Sequence, residues 1–315
     1  MRRIVIFLVL SLTLFINAFA SETRVGILNG PSCVPLVQMM EKKSNTSYTQ
    51  FADPQALLPK MLKKEIDIGF LPANVAAKVY NSSSKALVLL AITGNGNIKL
   101  ITSDTAVKDF SDLAGKTLYV AGQGATPDYL TRYLLDQNQV SAELSFSVPT
   151  PQIAAQLISK KIEYAVVPEP FATIAQLKSK DVKAAIDYQV EYSLVNGKDA
   201  EIPLTVLVTT RAFAEKNSKA INDFLKNYEK SYNWVVKHPV QAGNLCEKHN
   251  LGLAADVVAK AIPVSNYVYI PAKNGQKNVE DFLQILLEYS ADSIGGKLPE
   301  ADFYYNPAAY EAKSE

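Results

Sequence analysis

The chain has 315 residues, with 32 Lys and Arg against 31 Asp and Glu, a net charge of +1. That balance offers no basic field for nucleic acid. Hydrophobic residues at 48% and charged residues at 20% exclude disordered and disulfide-scaffold classes.

Arg2 and Arg3 precede an uncharged run from Ile4 to Ala20 that closes on Ala18-Phe19-Ala20. A charged start, an apolar run and a small-residue cleavage site spell a secretory signal, cut after Ala20. The expected location is the periplasm, with no Cys placed for a lipid anchor. Loss of both Arg leaves 30 cationic and 31 anionic residues, a mature charge of −1. Cys33 and Cys246 lie 213 positions apart (246 − 33) and carry no spacing signal. Two separate buried thiols are the expected state, with a disulfide as the alternative.

Arg24–Asn29 reads as a strand, Gly30-Pro31-Ser32 as a turn and Val34–Lys42 as a helix. Asp53-Pro54 is a cap followed by Pro at the first helical position, opening a helix over Gln55–Lys64. Ile66–Leu71 reads as a strand, and Pro72 opens a helix over Ala73–Tyr80. Ala86–Ile92 and Lys99–Ser103 are strands on either side of Thr93-Gly94-Asn95-Gly96-Asn97. The pattern then restarts. Thr117–Ala121 is a strand, Gly122-Gln123-Gly124 a turn, and Thr126 caps a helix over Pro127–Gln137. Glu143–Val148 is a strand, Pro151–Lys160 a helix and Glu163–Val167 a strand, and Pro168 opens a helix over Glu169–Lys178. Strands alternating with helices of this length indicate βαβ units.

The two passes overlay. Asp67–Pro72 matches Glu163–Pro168 in residue type at a constant offset of 96 (163 − 67). This predicts two α/β lobes of like construction. Lys180–Pro203 reads as a connection, and Leu204–Thr210 as a strand. From Arg211 to Ala261 the pattern is helical, with Phe224, Tyr228, Tyr232 and Val235 or Val236 on one stripe. A last helix is expected over Asn278–Ser290. The expected division is a signal peptide at 1–20, lobe I at 21–94, lobe II at 95–203, and the mostly helical second part of lobe I at 204–315.

The chain contains no P-loop, no G-x-S-x-G, no H-E-x-x-H and no C-x-x-C. His238 and His249 sit at polar helix edges, which suits surface or capping roles. No catalytic residue, metal site or cofactor is expected. What recurs is a helix start after a strand: Asn29–Ser32, Leu71–Asn74, Gly122–Thr126 and Val167–Phe171. Ligands of open sheets lie beyond the carboxyl ends of strands. Free N–H groups at such turns favour an oxyanion. Glu169 instead suits an amine or ring N–H, and Phe70, Tyr129 and Phe171 offer an aromatic wall.

These residues resemble the type II periplasmic solute-binding proteins of ABC importers, in the branch of the alkanesulfonate, taurine and thiamine-pyrimidine (NMT1/THI5-like) binders. The marks are Arg24–Leu28 followed by Gly30-Pro31-Ser32, Glu65–Phe70, Asp112–Thr117 and Pro168-Glu169-Pro170-Phe171. The resemblance implies an α/β fold of two lobes, each a mixed sheet flanked by helices, with the helical C-terminal segment on lobe I. It implies ligand contacts from Gly30, Pro31, Ser32, Ala73 and Asn74 in lobe I, and from Thr93 and Gly94 at the hinge. Lobe II would contribute Gln123, Gly124, Ala125, Thr126, Glu169 and Phe171. The lobe II turn lacks the Arg that clamps amino-acid carboxylates, which argues against an α-amino acid. The function implied is a monomeric receptor that captures a sulfonate, pyrimidine-type or related organic solute. Its partners would be that small molecule and a membrane permease. Two readings stay open beside it: an enzyme on the same fold, of menaquinone-pathway or pyrimidine-synthesis type, and an exported ligand sensor.

Overall fold

Ile68–Pro72 and Tyr164–Pro168 are both strands, at the offset of 96 (164 − 68) that the sequence overlay contains. Each sits at the same place in its own sheet. The computed structural model describes residues 22–42 and 44–311. The expected signal peptide and its cleavage point lie outside the described residues.

The first stretch holds β1 (Thr23–Leu28), a 3-10 turn (Pro31–Leu36), α1 (Val37–Met40), β2 (Thr46–Phe51), α2 (Pro54–Leu62), β3 (Ile68–Pro72), α3 (Ala73–Ser82) and β4 (Leu87–Gly94). The middle holds β5 (Ile98–Thr102), β6 (Thr117–Val120), α4 (Thr126–Gln137), β7 (Glu143–Ser145), α5 (Thr150–Ile158), β8 (Tyr164–Pro168), α6 (Phe171–Lys178), β9 (Lys183–Asp187) and α7 (Tyr188–Asn196). The last part holds β10 (Thr205–Thr210), α8 (Arg211–Ala214), α9 (Ser218–Lys237), α10 (Pro239–Lys248), α11 (Ala255–Ala261), β11 (Tyr267–Pro271), α12 (Ala272–Tyr289) and α13 (Pro307–Glu311).

Two mixed sheets result, ordered β11-β4-β10-β3-β1-β2 and β7-β6-β8-β5-β9. They share one plan. In the first, β2, β1 and β3 run parallel, and β10 is antiparallel to both β3 and β4. In the second, β7, β6 and β8 run parallel, and β5 is antiparallel to both β8 and β9. β11 adds an edge beyond β4. The chain crosses from one sheet to the other between β4 and β5, and returns between α7 and β10.

The central strands are near-continuous apolar runs because both faces are covered. All eight residues of β4 are buried. The long α9 turns Ile221, Phe224, Leu225, Tyr228 and Val235 inward, whereas Val236 is exposed. β1 is tied to β3 at its start by charge. Asp67 accepts from the Arg24 backbone N–H (2.8 Å), Nε (3.0 Å) and Nη2 (2.7 Å). Asp67 is buried and Arg24 half-exposed, so the pair is worth less than a wholly buried one. Asp67→Ala is expected to cost about 1 to 2 kcal/mol, read from thermal unfolding.

Several expectations need correction. Lys180–Pro203 is not a plain connection, since it forms β9 and α7. β2 and β11 had no counterpart in the sequence reading. Pro35 holds the start of the expected Val34–Lys42 helix in a 3-10 turn, leaving only Val37–Met40 as α-helix. Glu169 lies before α6, which starts at Phe171.

Cys33 and Cys246 are both buried free thiols. Burial pushes each up to about 12. The Cys33 thiol donates to the Leu28 and Gly30 carbonyls (3.2 and 3.3 Å), which braces the turn after β1.

Candidate functional site

The carboxyl ends of β1, β2 and β3 and the start of β10 meet the first crossing at one edge of the sheet. They enclose a cavity of about 260 Å³. Asn29, Pro31 and Ser32 line it after β1, and Ala52, Asp53 and Pro54 after β2. Pro72 ends β3 there, while Thr93, Gly94, Asn95 and Asn97 pass beside it. Thr205, Ser265 and Tyr267 complete the wall. The position follows from the topology, because loops after parallel strands gather on one side of the sheet.

Four of the residues expected from sequence therefore meet in one place: Pro31, Ser32, Thr93 and Gly94. The others stand apart from this lining. Gly30 holds φ +109°, which favours glycine. Its N–H is spent on the Leu251 carbonyl (3.1 Å). The Ala73 N–H is spent on the Leu204 carbonyl (3.1 Å), and Ala73 is buried. Asn74 is half-buried, one residue into α3.

The turn after β6 differs from expectation in its capping. Thr126 is the first helical residue, not the cap; Ala125 takes that place and makes no side-chain cap bond. Asp128 does the work instead, accepting from the Gly124 N–H (2.9 Å) and from Arg132 Nε (2.7 Å). Gln123 and Gly124 are exposed. The Phe70, Tyr129 and Phe171 wall is not assembled. Phe70 is fully buried in the core against Tyr228, with ring centroids 6.0 Å apart. The cavity's aromatic side chain is Tyr267, on the edge strand β11 that sequence reasoning missed.

Glu169 stands one hydrogen bond behind the cavity wall. Its N–H donates to the carbonyl of Asn97 (2.9 Å), a lining residue. Its carboxylate is buried and accepts from the Thr173 N–H (3.0 Å). Burial pushes this carboxyl above its ordinary value of 4.5, although Thr173 and Lys99 pull the other way. Burial, Cys33, Cys246 and Glu169 together hold the Tyr267 phenol well above its usual value.

Folded Glu169 thus keeps its proton to a higher pH than it does unfolded. Its contribution to stability is full below the unfolded value and is lost as pH rises through the folded one. Glu169→Gln, a mimic of the protonated form, is expected to flatten that loss. Urea midpoints measured at successive pH values should separate variant from parent increasingly above pH 4.5. A pH-independent difference would contradict this.

The crossing segments are cross-tied beside the cavity. Leu204 N–H donates to the Gly94 carbonyl (3.0 Å), and Asn95 N–H to the Asn266 carbonyl (2.9 Å). Gln189 Oε1 accepts from both crossings, from Gly96 N–H (3.2 Å) and Ile202 N–H (3.0 Å). Its Nε2 donates to the Ala200 carbonyl (3.0 Å). Away from the crossings the lobes also touch. α11 packs against α6 and α12 against α4, where the Tyr289 hydroxyl donates to Asp136.

His238 and His249 stand at helix ends, as their sequence positions suggest. His238 stacks on Trp234, and His249 Nε2 meets Glu41 (2.7 Å). Among the described residues, no helix is long and apolar enough to cross a membrane.

A family model described as NMT1/THI5 like matches residues 49–242, more than half of the chain. The chain belongs to this family. This NMT1/THI5-like chain is also similar to solved structures. An ABC transporter from Parabacteroides distasonis is 25% identical with a TM-score of 0.80, covering 91% of this chain and 99% of that one. The periplasmic aliphatic sulphonate binding protein SsuA from Escherichia coli is 18% identical with a TM-score of 0.66, covering 89% and 92%. The ligand binding component of an ABC-type import system from Staphylococcus aureus is 15% identical with a TM-score of 0.65, covering 92% and 97%. These likenesses give the NMT1/THI5-like chain the two-lobed type II periplasmic-binding fold. No curated protein matches it.

Proposed function

We propose that the protein is an exported receptor that captures a small polar or heterocyclic solute between its lobes and delivers it to an ABC permease. The observation that carries this reading is the cavity at the strand ends, bordered by the cross-tied segments that join the sheets. A molecule bound there touches the joint between two bodies and can favour one arrangement of them. No covalent step is needed, which makes this a binding module and not an enzyme. The names of the similar proteins, an ABC transporter, a sulphonate binder and an import component, support the same reading.

The lobes would span 21–94 with 204–315, and 95–203. On this reading Gly30, Ala73 and Asn74 support the lobe I wall behind Pro31, Ser32, Thr93 and Gly94. Gln123, Gly124, Ala125, Thr126, Glu169 and Phe171 form the facing wall of lobe II. The working state is a periplasmic monomer.

Native mass spectrometry of Ser21–Glu315, purified without refolding, tests the reading. A defined added mass that is lost on unfolding is the expected result. An empty protein that still gains no mass after dialysis against periplasmic extract overturns it.

A further inference from the structure

The polar groups of the cavity are not evenly divided between donors and acceptors. Three hydroxyls on its wall have already given their hydrogens to the backbone. Thr93 donates to the Thr205 carbonyl (3.2 Å), Ser265 to the Ala261 carbonyl (2.8 Å) and Tyr267 to the Pro31 carbonyl (2.9 Å). Each turns only lone pairs to a bound molecule.

Asn95 is more telling. It is 3% exposed, and its Nδ2 donates to Glu201 Oε2 (2.8 Å), which fixes the orientation of the amide. The Oδ1 is buried, has no hydrogen-bond partner, and belongs to a residue of the cavity wall. A buried acceptor left unmade costs about 1 to 3 kcal/mol, and a donor on the bound molecule removes that cost.

Donors are scarce at the same wall. Pro31, Pro54 and Pro72 have no N–H at the turns where a helix start would offer one. The N–H groups of Asn29 and Asn95 are spent on the carbonyls of Phe51 and Asn266. The α2 start is capped by its own carboxylate, since Asp53 Oδ1 accepts from the Ala56 N–H (2.8 Å). Neither Lys nor Arg is among the lining residues, whereas Asp53 is. The side chains of Asn29 and Asn97 carry both a donor and an acceptor and discriminate against neither class.

We propose that this cavity selects an uncharged or cationic molecule that presents N–H or O–H donors, with Asn95 Oδ1 as its specificity-determining acceptor, and that it rejects organic oxyanions. The proposal rests on the receptor reading and names the chemical class of its solute. It also reverses the expectation that the strand-end turns suit an oxyanion. An anion brought here would meet lone pairs and the Asp53 carboxylate with no cation to offset them.

Thermal unfolding with two probe sets at neutral pH tests it. The donor set is cytosine, 4-aminopyridine and agmatine. The anion set is methanesulfonate, benzenesulfonate and nitrate. The expected result is a raised Tm with at least one donor and with no anion. Asn95→Leu should then weaken the stabilising probe about tenfold, the scale of one lost buried hydrogen bond. Thr93→Val, which removes a single acceptor, should weaken it less and guards against misfolding of the first variant. A raised Tm with any anion, or unchanged probe affinity in Asn95→Leu, overturns the proposal and leaves the receptor reading standing. No rise with either set also overturns it. Whether native mass spectrometry then shows a retained mass decides if the receptor reading falls as well.

Discussion

Gln189→Ala is expected to destabilise the protein by about 3 kcal/mol, because two backbone donors lose one shared acceptor. Gln189 Oε1 accepts from Gly96 and Ile202, which lie on different crossings, and both are buried. No short side chain spans that gap. The site is also sterically closed, since a Cβ on Gly96 would stand 2.8 Å from Gln189 Oε1. Urea unfolding gives the stability change. Gln189→Glu keeps the acceptor and loses the donation to Ala200, so it should cost less. Near-equal stability of Gln189→Ala and the parent would show that the crossings are not held by this side chain.

Gly243→Ala is expected to cost about 3 kcal/mol through a contact that cannot relax cheaply. Gly243 lies on α10 where α11 crosses it. A Cβ there would stand 2.2 Å from the Ala255 carbonyl oxygen and 3.0 Å from its carbon. Both are backbone atoms, so one helix must move. Gly275→Ala gives the contrast. Its added Cβ would meet Ile92 Cδ1 at 2.4 Å, the end of a side chain that can turn. Thermal unfolding of the two variants should rank Gly243→Ala well below Gly275→Ala. The reverse order would place the tight spot at the wrong helix pair.

The strands that were legible in sequence are those covered on both faces. β4 (LVLLAITG) and β3 (IGFLP) are apolar runs because helices and neighbouring strands leave them no water. β2, β9 and β11 are edge or near-exposed strands and carry no such run. TSYTQF, KAAID and YVYIP are only partly buried, and their pairing depends on a partner distant in sequence. The repeat survived because β3 and β8 are equivalent central strands under the same constraints. The site was legible where it coincides with turns after such strands, at Pro31 and Ser32, and at Thr93 and Gly94 on the crossing. Tyr267 and Ser265 arrive on or next to an edge strand that carries no signal of its own. The capping at α4 was misread for a local reason. Asp128 reaches back to Gly124 from inside the helix, so the polar Thr126 before it is not the cap.

The central claim is that two lobes close on a solute held at their joint. Small-angle X-ray scattering on Ser21–Glu315, before and after ligand is stripped by unfolding and refolding, tests that claim directly. The account predicts a larger radius of gyration for the stripped protein and recovery of the smaller value when the released compound is added back. Identical scattering in the two states, with the compound shown to bind, would contradict it.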